Sequence, residues 1–111
     1  MAPESTFHYT VEESVDQSNL PVTTIKCRGR MLGESALRIK HLVKPLIDAG
    51  GRHVIIDLTD LEWLDSAGLG ALVGLKVSAL NKGLCKLDLV NLSPRIRELM
   101  NLTHLNDLFA K

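Results

Sequence analysis

Apolar and polar positions alternate, with lapses, from Phe7 to Val15, the period of a strand covered on one face, and this segment is read as an edge strand. A polar turn, Asp16-Gln17-Ser18-Asn19-Leu20-Pro21, leads into Val22–Arg28, whose valine, threonine and isoleucine residues favour a second strand. The period then changes. Leu37, Ile39, Leu42, Val43, Leu46 and Ile47 recur at helical spacing, so a helix is expected from a Ser35 cap to Ala49. Gly29 and Gly33 bracket the loop before it, and Gly50-Gly51 closes it. Pro45 falls inside that helix, removes one internal hydrogen bond, and is expected to kink or shorten it.

His53–Leu58 is an almost unbroken apolar run, the pattern of a strand buried on both faces. A short acidic connection follows, carrying Asp60 and Glu62, and delivers Asp65-Ser66 to an apolar helix expected from Ser66 to about Asn81. Lys82-Gly83 ends that helix. In the next strand, Leu84–Val90, Cys85, Leu87 and Leu89 alternate with Lys86, Asp88 and Val90. Ser93-Pro94 supplies a cap and a first-turn proline for a helix reaching Leu102. Leu105–Phe109 fits a short last strand or a helical tail equally. The order β-β-α-β-α-β-α predicts an α/β fold with a mixed, partly parallel sheet and helices packed mainly on one face. A chain of 111 residues is expected to form one domain, residues 1–111.

Composition narrows the function classes. Thirteen basic and thirteen acidic residues cancel, which leaves no electrostatic footprint for nucleic acid or an anionic membrane. The start, Met1-Ala2-Pro3-Glu4-Ser5-Thr6, lacks a basic stretch followed by an apolar one, and no apolar run approaches the ~20 residues of a membrane span. A cytoplasmic protein without membrane insertion or direct nucleic-acid contact is expected. Cys27 and Cys85 fall in strand-like segments and read as buried reduced thiols rather than a disulfide or metal clip.

The chemistry concentrates at Asp65-Ser66. A serine at a strand-to-helix junction can cap the helix and also stand where another protein reaches it. Gly68 and Gly70 sit in the first turns, each costing about 1 kcal/mol relative to alanine, so bare backbone is needed there for close approach. Leu69, Leu72, Val73, Val77 and Leu80 are expected to form the buried stripe of this helix. Ala67, Ala71, Gly74 and Ser78 then align on another side, a smooth surface for a partner helix or for the protein's own sheet. Trp63 either anchors a partner or plugs the end of the core, and the second reading is favoured. Asp57 and Asp60 read as solvated carboxylates rather than metal ligands, so neither metal nor cofactor is expected. None of His8, His41, His53 and His104 is placed to activate Ser66, and the Gly-x-Ser-x-Gly elbow of serine hydrolases is absent.

The segment Asp65-Ser66-Ala67-Gly68-Leu69-Gly70, following Ile55-Ile56-Asp57-Leu58, resembles the signature of the STAS family, the small domains of bacterial anti-sigma factor antagonists. Gly29-Arg30-Met31-Leu32 and Leu87–Pro94 extend the likeness over nearly the whole chain. The resemblance implies a STAS-like fold and a non-enzymatic binding module. It implies that Ser66 is phosphorylated by an anti-sigma factor that is also a serine kinase, and reset by a serine phosphatase. Unphosphorylated, the protein would bind the anti-sigma factor through Asp60, Asp65, Ser66, Ala67, Gly68, Gly70, Ala71, Gly74 and Ser78, so releasing a sigma factor. Two positions depart from the pattern: Arg30 and Leu32 stand where the family often has acidic residues, which implies an altered partner surface. The alternatives are a STAS subunit of a membrane transporter or signalling scaffold without phosphorylation and, more remotely, a small serine hydrolase.

Overall fold

In a computed structural model, which describes residues 7–110, the elements run β1 (Phe7–Val15), β2 (Pro21–Met31), α1 (Glu34–Ala49), β3 (Arg52–Leu64), α2 (Ser66–Lys82), β4 (Cys85–Val90), α3 (Pro94–Leu102) and α4 (Asn106–Ala110). The sheet order is β1-β2-β3-β4, with β1 antiparallel to β2 and β2, β3 and β4 mutually parallel. The fold is thus the expected α/β arrangement. Asp16 organises the β1–β2 turn, its carboxylate accepting the Ser18 and Leu20 N–H groups. The N-terminal segment from which the absence of a leader was read lies outside the described residues.

The parallel register explains the core. Ile25 lies opposite Ile56, and Val54 is flanked by Thr23 and Leu87, so these side chains share one face of the sheet. Helices α1 and α2 pack side by side over that face. Ile39, Val43 and Ile47 of α1 meet Leu72 and Leu75 of α2 in one cluster with Ile25, Ile56, Leu58 and Leu87. At about 25 cal/mol per Å² of apolar surface, this layer is the main favourable term in folding. Cys27 and Cys85 are buried free thiols. Burial, with the charge of Asp57 adding to it, pushes the Cys27 thiol up to about 12, so it stays protonated.

Three local expectations need correction. The acidic connection after residue 58 is strand: β3 continues to Leu64, and its second half pairs with β2 through Arg28↔Asp60, Gly29↔Leu61, Arg30↔Trp63 and Met31↔Leu64. Two bulges, each placing an extra residue on β3, convert the period of two into one of three. Leu58, Leu61 and Leu64 are consequently buried while Asp60 and Glu62 face water. Ser35 does not cap α1. Gly33 holds the cap position without a side-chain cap, and its N–H donates to the Asp65 carboxylate at 3.2 Å. Pro45 does not shorten α1, which runs on to Ala49 with the proline on its solvent side. The tail after α3 is the short helix α4.

Candidate functional site

The junction between β3 and α2 is built around one carboxylate. Ser66 was expected to cap α2, but Asp65 does so: in extended backbone, it accepts the Gly68 N–H through Oδ1 at 2.9 Å. Its Oδ2 takes the Gly33 N–H from the β2–α1 loop, and its own N–H donates to the Met31 carbonyl at 3.3 Å. Asp65 therefore fastens the start of α2 to the end of β2. The Gly68 N–H, opposed by slight burial and aided by the Gly33 N–H, holds this carboxyl below its ordinary value. An acceptor that satisfies otherwise orphan helix N–H groups is stabilising at this position. Ser66, displaced from the cap to the first helical residue, is exposed.

The predicted binding residues divide into two sets. Ser66, Ala67, Gly70 and Gly74 are exposed, and a Cβ built on Gly70 or Gly74 would meet nothing within 4 Å. Gly68 and Ala71 are buried, which corrects their placement on an outer surface. A Cβ on Gly68 would come within 2.7 Å of the Met31 carbonyl oxygen, so glycine there serves contact between α2 and β2. Ala71, 4% exposed, belongs to the core, and Ser78 is half-buried. Asp60 is distant in character from this group. It stands on β3 opposite Arg28, bordering a depression with His8, Thr10 and Lys26.

The stripe assigned to the interior of α2 also needs correction. Gly68, Ala71, Leu72, Leu75, Lys76 and Ala79 are the buried residues, whereas Val77 and Leu80 are 39% and 41% exposed. The helix is apolar nearly all round, so periodicity is weak, and a lysine interrupts the true inner stripe. Lys76 is only 2% exposed, its ammonium donating to the Leu87 carbonyl of β4 at 2.6 Å. The outer face therefore joins Val77, assigned from the sequence to the interior, to Ser66, Gly70 and Gly74, small residues near the hydroxyl with an apolar one beyond.

The surroundings complete the picture. Asp57 is engaged rather than merely solvated, accepting the Thr59 N–H and hydroxyl at 2.9 and 2.6 Å and the Asn91 amide at 3.1 Å. Trp63 is half-buried near the end of β3, with the Arg95 guanidinium of α3 stacked 4.7 Å from its ring centroid. Among the histidines, His53 sits at the opposite end of β3 from Ser66 and bonds Asp88 at 2.6 Å. Among the described residues there is no cluster suited to a metal ion, and no helix is long and apolar enough to cross a membrane.

The STAS domain model matches residues 13–111. The chain belongs to the STAS domain family. An anti-sigma-B factor antagonist of Staphylococcus aureus is 30% identical to this STAS protein over 84 residues, which are 76% of this chain and 77% of the relative. Two solved structures share the fold. An anti-sigma factor antagonist from Mycobacterium paratuberculosis superposes with a TM-score of 0.73 at 24% identity, covering 97% of this chain and 86% of that one. The Bacillus cell fate determinant SpoIIAA in its phosphorylated form gives 0.69 at 20% identity, covering 91% of this chain and 87% of that one.

Proposed function

We propose that this STAS protein is an anti-sigma factor antagonist, a cytoplasmic binding module switched by phosphorylation of Ser66. The observation that carries the reading is the exposed Ser66 hydroxyl in the first turn of α2, beside a neighbour that already caps the helix. The relationship to an anti-sigma-B factor antagonist supplies the class of partner. Unphosphorylated, the protein docks on an anti-sigma factor through Ser66, Ala67, Gly70 and Gly74 and so frees the sigma factor. The anti-sigma factor, acting as a kinase, transfers the γ-phosphoryl of ATP to Ser66 Oγ, and a phosphatase removes it. No catalytic group is asked of this chain. The pairing of His53 with Asp88, far along β3, supports that reading.

The physical effect of the mark is local. A phosphoryl group adds about −1.5 to −2 charge at neutral pH, and the free N–H groups and dipole of a helix N-terminus tolerate it there. The fold persists while a small, nearly neutral docking face becomes strongly anionic. Phosphopeptide mass spectrometry on protein recovered from its host tests the first half, with stoichiometric, condition-dependent phosphate on Ser66 expected. For the second half, Ser66→Asp is expected to lose anti-sigma factor binding while its far-UV circular dichroism stays unchanged. Equal binding by Ser66→Asp and wild type would defeat the switch. Phosphate absent under every condition would favour a scaffold role.

A further inference from the structure

We propose that β1 joins two copies of this chain edge to edge and antiparallel, about a two-fold axis at Val11, so that two four-stranded sheets become one.

β1 closes one side of the sheet, and among the described residues no strand lies on its outer side. An edge strand presents a row of N–H and C=O groups to other chains, and proteins commonly blunt such edges with lysine, proline, bulges or short length. β1 has none of these devices. It is nine residues long, contains neither lysine nor proline, and pairs with β2 from Phe7↔Gly29 to Val15↔Pro21 without a register shift. The opposite edge, β4, is six residues long and carries Lys86. Apart from His8, the ionisable acids and bases of β1 are Glu12 and Glu13, and both are answered within the chain. Glu12 pairs with Lys26 at 3.4 Å, while Glu13 accepts the Thr23 hydroxyl at 3.0 Å and lies 3.6 Å from Arg52. The helical layer also stops short of this edge. Val11 stands opposite the fully buried Ile25, yet is itself 44% exposed, and Val15, on the same face by alternation, is 62% exposed.

Strand alternation decides the register. Two copies related by a two-fold axis match their side-chain faces only when the axis passes through a residue, because an axis between residues sets opposite faces together. At Glu12 or Glu13 the axis would bring identical carboxylates face to face, which is destabilising. At Tyr9 or Thr10 it would leave Ser14 and Val15 unmatched. At Val11 the strand matches itself end to end. Val11 then meets Val11 of the second copy, Thr10 meets Glu12, Tyr9 meets Glu13 and His8 meets Ser14. No like charges stand opposite, a tyrosine hydroxyl faces a carboxylate, and the two exposed valines cover one another. The contact is isologous, the same surface serving both copies. Its axis stands perpendicular to the sheet, so the helices α1 and α2 of both copies lie on one side. Ser66 follows β3, two strands in from the joined edge, and stays clear of the contact.

Sedimentation equilibrium of the full chain, over about 1 μM to 1 mM, is expected to show reversible association to a dimer. Val11→Lys places two ammonium groups face to face at the axis and is expected to weaken association at least about tenfold, with an unchanged melting curve. Crosslinking reads the register. Opposite Cα atoms in an antiparallel pair lie about 4.5–5.5 Å apart, within reach of a disulfide, whereas Val15 of the two copies would lie more than about 25 Å apart. Under copper phenanthroline in air, Val11→Cys is expected to crosslink at least about tenfold faster than Val15→Cys, although Val15 is the more exposed. Cys27 and Cys85 are buried thiols and do not compete. A monomer throughout the concentration range would overturn the proposal, as would association of Val11→Lys equal to that of wild type. Crosslinking of Val15→Cys as fast as Val11→Cys would also overturn it, since that is the mark of random collision. Association that survives Val11→Lys but is lost in Leu84→Lys, an exposed leucine at the far side of the sheet, would move the contact to the end of α2 and likewise end the proposal.

Discussion

Gly68 and Gly74 stand on the same helix, six residues apart, and answer to different requirements. At Gly68 the backbone of α2 comes so near to β2 that a methyl group would collide with the Met31 carbonyl oxygen and crowd Leu64. At Gly74 the same methyl group would project into open space. The inner glycine is required by the fold. The outer one weakens the helix with no internal compensation and lies in the proposed docking face. The inner face of α2 keeps the protein folded, while the outer face is the one proposed to meet a partner.

Substitutions can break or sharpen that contrast. The largest effect is expected from Gly68→Ala, where overpacking against backbone costs about 1–3 kcal/mol. Urea denaturation checks this, and an unchanged midpoint would mean that α2 shifts freely on β2. Next comes Asp65→Ala, which removes the cap and the tie to Gly33 and is expected to cost about 1 kcal/mol. Its pH dependence has a definite sign. Hydrogen bonding lowers the folded-state value of Asp65 below its ordinary 3.8, so the contribution is fully present above that pH and fades as acid approaches the folded value. Stability measured from pH 6 downward is therefore expected to fall less steeply in Asp65→Asn than in wild type. The smallest effect has the opposite direction. Gly74→Ala is expected to stabilise the helix by about 0.5–1 kcal/mol while weakening anti-sigma factor binding. A stabilised variant that binds normally would remove Gly74 from the docking face.

The sequence exposed some of this division and concealed the rest, for identifiable reasons. The sheet, the two long helices and the Asp65-Ser66 junction were legible because strand and helix periods alternate clearly from residue 22 to residue 58. The second half of β3 was not, because its bulges replace alternation with a three-residue spacing that resembles a loop with scattered leucines. The faces of α2 were misassigned because valine and leucine occur all round it and because Lys76 points inward. A buried lysine satisfied by a main-chain carbonyl has no sequence signature. Nor does the capping role of Asp65: Asp and Ser are both good caps, and only backbone geometry chooses between adjacent ones. The closeness of Arg95 to Trp63 depends on α3 folding back toward β3, which no local pattern encodes.

That choice of cap has a consequence for how often the proposed signal can be rewritten. A hydroxyl that held the helix end would give up its structural bond each time it accepted a phosphoryl group, and every cycle would strain the fold. Here the adjacent carboxylate carries that duty permanently, binding Gly68 and Gly33 whether or not Ser66 is modified. In the proposed switch, the residue that stores the message and the residue that maintains the architecture stand at neighbouring positions. Memory of this kind can be erased and reset indefinitely without wear on the scaffold that displays it.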